Sequence, residues 1–245
     1  MIRSLVVLIL VTFAVFSKQS YAWGLKELGD EAASPVTTDA KYVLYAGTLL
    51  TLTFIIFEDQ VSDPFQEKQV RNKTLGGASI WGDRFGQLVP NILYVAGMGI
   101  AGQYGDTKAA ERAIGMFKAT AYAISATTIL KYTVREPRPN AIHEKNSFPS
   151  GHTTSAFSFS GYVAAEHGWG WGSAALLSST FVAYSRINDN RHFLHDITAG
   201  ATIGWVYGWG IAKLEKKNKD KEKDSAHIVP IIDTKTAGLS LYKEF

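Results

Sequence analysis

Six stretches of this sequence run almost without charge, at residues 42–57, 85–105, 113–134, 153–165, 169–184 and 197–212. Apolar runs of that length predict helices, so the chain is expected to be all-α, with a core bundle of six helices. Gly, Ala, Ser and Thr recur in several runs, which permits close helix contacts in either water or lipid. A chain of 245 residues with 46% hydrophobic content suffices for one domain with a sizeable core.

Three polar blocks sit at the ends of these runs. The first is Lys131-Tyr-Thr-Val-Arg135-Glu-Pro137-Arg138-Pro139, where the third helix must stop because a Pro-Arg-Pro turn loses backbone hydrogen bonds. Lys131 and Arg138 then converge from the last helical turn and the loop beyond it. The second is Phe148-Pro149-Ser150-Gly151-His152-Thr153, a helix start whose free N–H groups form a ready anion site and whose glycine lets a ligand approach the backbone. The third runs from Ser185 and Arg186 through Arg191 and His192 to His195 and Asp196. If the sixth helix begins near His192, then His192 and Asp196 share a face at i,i+4, and the carboxylate fixes the imidazole tautomer.

Taken together, K-x6-RP, PSGH and SR-x5-H-x3-D resemble the three-part signature of the type 2 phosphatidic acid phosphatase and vanadium haloperoxidase superfamily. Every signature residue is present, in order and at the right spacing. The order of helices and motifs extends the resemblance from about residue 42 to 212. It implies that His192 is a nucleophile forming a transient phosphohistidine, that Asp196 orients it, and that His152 is the general acid and then the general base. Lys131, Arg138 and Arg186, with the Ser150 hydroxyl and the Gly151 N–H, are the implied phosphate-binding groups. No metal or other cofactor is expected.

The expected activity is that of a metal-independent phosphatase acting on a phosphate monoester or a terminal diphosphate. A phosphorylated lipid is the favoured substrate: phosphatidic acid, phosphatidylglycerophosphate, an isoprenyl diphosphate or a lipid A phosphate. The alternatives are a soluble periplasmic broad-specificity acid phosphatase, a vanadium haloperoxidase and a non-catalytic phospholipid-binding protein. His143, His167 and His227 lie outside the motifs and are read as structural. His195 is read as a neighbour on another helix face, and Arg135 and Arg191 as solvated or ion-paired.

Zero cysteines exclude disulfides, thiolate metal sites and a lipoprotein anchor. The formal net charge of +3 is modest, and no nucleic-acid-binding motif surrounds the basic residues. Residues 1–22 read as a signal peptide, with Arg3 ahead of an apolar stretch and Ser20-Tyr21-Ala22 as a small-x-small cleavage site. The expected address is therefore the cell envelope, with a membrane-associated enzyme favoured and a soluble periplasmic one as the alternative. Several runs of about 16 residues reach only about 24 Å as helix, short of a hydrocarbon core of about 30 Å.

The helical domain is expected to span 23–212. It is followed by a solvated charged linker at 213–225 and a β-prone tail at 226–245 that suggests a small hairpin. The charged connection at 58–84 carries no readable function.

Overall fold

Each of the six uncharged runs forms a helix, and the motifs fall at their ends as expected. The computed structural model describes residues 24–224, 227–233 and 236–242, so the expected signal peptide lies outside the described residues. Two short helices, α1 (Leu25–Ala32) and α2 (Ser34–Thr37), lead into α3 (Lys41–Ile56). The 58–84 connection is itself mostly helical. A π-helical turn at Glu58–Ser62 enters α4 (Asp63–Asn72), and a 3-10 turn at Gly76–Ala78 precedes α5 (Ser79–Phe85). The other core helices are α6 (Val89–Gln103), α7 (Thr107–Val134), α8 (Gly151–His167), α9 (Trp169–Asn188) and α10 (Leu194–Asp224).

Residues 213–224, expected as a solvated linker, instead continue α10 to Asp224. Lys and Glu are good helix formers, and the buried first half of α10 supplies the nucleus from which they propagate. The tail forms the expected hairpin: β1 (His227–Asp233) and β2 (Thr236–Tyr242) pair antiparallel, with His227 opposite Tyr242 and Asp233 opposite Thr236.

The centre of the bundle is the seam between α8 and α10, which is closed by glycines. A Cβ at Gly200 would lie 2.6 Å from the Ser150 carbonyl oxygen, and one at Gly161 would lie 2.8 Å from that of Trp205. At Gly204 and Gly208 a Cβ would collide with the carbonyl oxygens of Thr154 and Ser158. Glycine every fourth residue lets two backbones meet without side chains between them.

The same closeness explains why α8 carries no amphipathic stripe. Its Thr153, Thr154, Ser155, Ser158 and Ser160 are fully buried, and their hydroxyls find partners inside the protein. Ser155 Oγ donates to the Gly86 carbonyl at 2.6 Å, and Thr154 shares a 2.9 Å bond with Thr127 on α7. The apolar core lies beside this seam, around Val95, Met116, Ala119, Tyr162 and Ile211. Helix α1 is tied to α7 by Lys118, which donates to Glu27 at 2.9 Å and also to Glu31.

Among the described residues, one helix, Thr107–Val134, is long and apolar enough to cross a membrane. Up to three spans result if two bent pairs each count as one, Lys41–Ile56 with Glu58–Asn72 and Gly76–Phe85 with Val89–Gln103.

Candidate active site

The α8/α10 seam delivers two of the three motifs to one place. Ser150 N donates to the carbonyl of Asp196 at 3.0 Å, joining the start of α8 to the start of α10. Helix α10 begins at Leu194 rather than near His192, so His192 stands in the turn ahead of it. The predicted pair forms nonetheless, with His192 Nδ1 3.2 Å from Asp196 Oδ2. That oxygen also accepts from Ser147 Oγ at 2.6 Å and from the Phe193 N–H at 2.9 Å. An ionised carboxylate held by these donors keeps the imidazole proton on Nδ1 and leaves the Nε2 lone pair free.

Both members are buried, His192 to 1% exposure and Asp196 completely. Burial pulls the His192 imidazole down to about 4 against the opposing pull of Asp196, so the ring is neutral at pH 7. Burial works to raise Asp196, but its bonds to His192, Glu136 and Ser147 prevail and the carboxyl stays ionised.

The second motif opens α8. Ser150 is its N-cap, and the side chain accepts from the Thr153 hydroxyl at 3.0 Å. Gly151 and His152 follow on the first turn. A Cβ at Gly86 would press within 2.7 Å of the His152 ring, so this glycine makes the room in which the imidazole sits. His152 Nε2 lies 3.4 Å from Asp83 Oδ1. Burial lowers the His152 pKa below its usual 6.5, while Asp83 works in the opposite direction.

In the first motif α7 ends as the proline pair requires. Arg135 caps it in the left-handed region at φ 55°, and its N–H returns to the Lys131 carbonyl. Lys131 Nζ donates to the carbonyls of Asn146 and Ser147. Arg138 Nε donates to Asn146 Oδ1 at 2.7 Å and pairs with Glu144 at 3.2 Å.

Lys131, Arg138, Gly151, His152 and His192 thus line one cavity of about 510 Å³, together with Thr128, Tyr132, Arg135, Lys145 and Asn146. Arg186 is not among the lining residues. It is 3% exposed on the last turn of α9, and its guanidinium is bound by Asp83 and, at 3.3 Å, by Asp189. Asp83 therefore joins Arg186 to His152.

Several participants carried no signal in the sequence. Asp83 lies in the unreadable connection, and Ser147 and Asn146 belong to no motif. His195, read as a mere neighbour, is buried with Nε2 2.8 Å from Glu136 Oε1 and 3.8 Å from Asp196 Oδ1. Burial opposes charging its ring, but Glu136 and Asp196 outweigh that and raise it above 6.5. Donor atoms of Glu136, His195 and Asp196 lie within 4.8 Å of one another, a set whose chemistry suits a divalent cation as well as a proton. His167, by contrast, lies outside this cluster and is held by the Tyr94 hydroxyl at 2.7 Å.

Fold and site define a helix-bundle protein with a cation-lined cavity built on a buried His–Asp pair. A family model described as the PAP2 superfamily matches residues 112–220, which contain all three motifs. Over 82 residues the chain is 35% identical to the lipid A 1-phosphatase of Porphyromonas gingivalis, covering 32% of this chain and 18% of that protein's length. The crystal structure of the first transmembrane PAP2 type phosphatidylglycerolphosphate phosphatase from Bacillus subtilis is 17% identical. The match covers 87% of this chain and 96% of that one, at a TM-score of 0.39. The similarity to the PAP2 superfamily thus falls on the segment that carries the three motifs.

Proposed function

We propose that this protein is a membrane-associated phosphatase of the cell envelope that hydrolyses a phosphate monoester or a terminal diphosphate on a lipid. The observation that carries the reading is the buried His192–Asp196 pair beside a cavity that His152, Lys131 and Arg138 also line. His192 Nε2 attacks phosphorus and the ester P–O bond breaks. Its electron pair leaves with the alkoxide, which takes a proton from His152. His152 then removes a proton from water, the hydroxide displaces His192 from phosphorus, and inorganic phosphate departs. Asp196 stabilises the imidazolium character that develops on His192.

Lys131 and Arg138 meet the charge on the equatorial oxygens from the cavity, and Arg186 contributes from behind His152. Membrane association is supported by large apolar side chains left exposed on several helices, among them Leu49, Ile56, Leu93, Ile129, Trp171 and Leu177. The lipid A phosphatase relative supports a lipid phosphate as substrate. Export to the envelope rests on residues 1–22 of the sequence.

The test is inorganic phosphate release by purified protein from phosphatidic acid, phosphatidylglycerophosphate, an isoprenyl diphosphate and a lipid A phosphate, with p-nitrophenyl phosphate as the soluble comparison. Release from the lipids, inhibited by vanadate and indifferent to chelators, is the expected result. Preference for the soluble ester would favour an acid phosphatase. Activity that chelators abolish and a divalent cation restores would place a metal in the chemistry.

The two histidines also predict the pH profile. His192 must be neutral and loses its proton above about 4, whereas His152 must be protonated and its pKa lies below 6.5. In the free enzyme kcat/KM should therefore rise through about pH 4 and fall before 6.5, giving an acidic optimum. Asp83 raises the His152 pKa, so Asp83→Asn should move the falling limb to lower pH. Above that limb the variant loses about tenfold in rate per unit of displacement. An unmoved limb would remove Asp83 from the account.

A further inference from the structure

Behind the His192–Asp196 pair, three buried side-chain atoms have no hydrogen-bond partner among the described residues: Asp196 Oδ1, Glu136 Oε2 and His195 Nδ1. The other half of each group is engaged. Asp196 Oδ2 takes its donors from His192, Ser147 and Phe193, and Glu136 Oε1 lies 2.8 Å from His195 Nε2. A buried acceptor without a donor has given up its water for nothing in return.

The chain brings these groups together from two directions. Glu136 stands between the cap of α7 and Pro137, which disfavours another helical turn, and the Ser147 N–H donates to its carbonyl at 2.9 Å. His195 and Asp196 come from the first turn of α10. The His195 ring is fixed by Phe193, stacked on it with centroids 5.3 Å apart, and by Phe148 at 6.1 Å.

Two ionised carboxylates cannot satisfy each other, because both only accept. One proton between Glu136 Oε2 and Asp196 Oδ1 serves both oxygens, whereas the same proton on His195 Nδ1 would meet no acceptor. Burial raises Glu136 above the usual carboxyl range against the pull of His195, and its side chain bonds to that of Asp196. The other charges that face the trio are Lys131 on α7, Arg138 in the loop beyond it, and Glu58 on the π-helical turn.

We propose that Glu136 is a positioning residue for His192: it carries a proton, donates it from Oε2 to Asp196 Oδ1, and is anchored at Oε1 by His195. This rests on the phosphatase reading above and extends the machinery of the same site. With both oxygens held, the Asp196 carboxylate cannot turn, and the imidazole that it orients keeps Nε2 free for phosphorus. Glu136 and Asp196 then carry one negative charge between them, which offsets the imidazolium formed when phosphorus bonds to Nε2.

The test is phosphate release from a lipid phosphate by the full chain with Glu136 replaced in two ways. Glu136→Gln keeps both bonds, since the amide N–H donates to Asp196 Oδ1 and the amide carbonyl accepts from His195, so kcat should stay within about fivefold of wild type. Glu136→Leu leaves Oδ1 without a donor and should lower kcat about 10²-fold, the cost of a misplacement of about 1 Å, with KM nearly unchanged. Equal kcat in the two variants would overturn the proposal. So would wild-type activity that chelation abolishes and a divalent cation restores, because a metal would then take the place of the proton.

Infrared spectroscopy supplies a readout that depends neither on turnover nor on the folding of the leucine variant. At pH 7 the spectrum of wild type minus that of Glu136→Gln, in which every other carboxyl cancels, should show the carbonyl stretch of a neutral carboxylic acid. A carboxylate band in its place overturns the bridge. If wild-type protein releases phosphate from no lipid, the phosphatase reading fails, and the infrared band still decides whether Glu136 holds the proton.

Discussion

His192→Ala should lower turnover by about 10⁵- to 10⁶-fold, the scale seen when the nucleophile of a covalent mechanism is removed. Phosphate release from a lipid phosphate by wild-type and variant protein checks it, and activity within tenfold of wild type would end the phosphohistidine mechanism. The fold should survive the change, because Ser147 and the Phe193 N–H still satisfy Asp196 Oδ2. An unchanged helical circular dichroism signal would separate lost chemistry from lost structure. Rapid quenching with labelled substrate should trap an acid-labile phosphoprotein in the wild type and none in the variant.

His152→Ala should behave differently, since general acid–base catalysis contributes about 10²- to 10⁴-fold. Its loss should shrink with p-nitrophenyl phosphate, whose leaving group departs without a proton, while the His192→Ala loss should not. That contrast assigns the two roles, which equal losses on every substrate would not.

The candidate site was legible because the groups proposed to react are concentrated in three short blocks whose spacing the sequence displays. Helix order was legible too, since each block interrupts an apolar run. What could not be read was how the groups are supported. Asp83 meets Arg186 across about a hundred positions of chain, and a single aspartate inside a charged connection has no pattern to distinguish it. Ser147 and the Glu136–His195 pair likewise gain their roles only when the turn after α7 folds back against the start of α10. The helicity of the charged stretch at 213–224 was not legible for a related reason. Its composition describes a solvated surface, but whether such a surface is helical depends on the buried helix it extends.

The glycines of α10 carry the other large effect. Gly204→Val should abolish the native fold. A Cβ at this position collides with the Thr154 carbonyl oxygen, and its other neighbours on α8 are Ser158 N and Phe157 Cβ, none of which a side-chain rotation can move aside. Overpacking a core typically costs about 1–3 kcal/mol, and here the relief available is separation of the two helices along the seam. Gly204→Ala should fold with a lowered melting temperature. Its turnover should drop by more than its stability predicts, because the seam sets Asp196 against Ser150 and a misplacement of about 1 Å can cost about 10²-fold in rate. The matched control is Gly97→Ala on α6, where a Cβ would have nothing within 4 Å. Replacing that helical glycine should stabilise the protein by about 0.5–1 kcal/mol. Thermal unfolding followed by circular dichroism should rank Gly97→Ala at or above wild type, Gly204→Ala below it, and Gly204→Val without a cooperative transition. A Gly204→Val protein that melts like the wild type would mean that the backbones of α8 and α10 do not meet at this residue, and the route by which the seam brings His192 and Asp196 to the cavity would have to be abandoned.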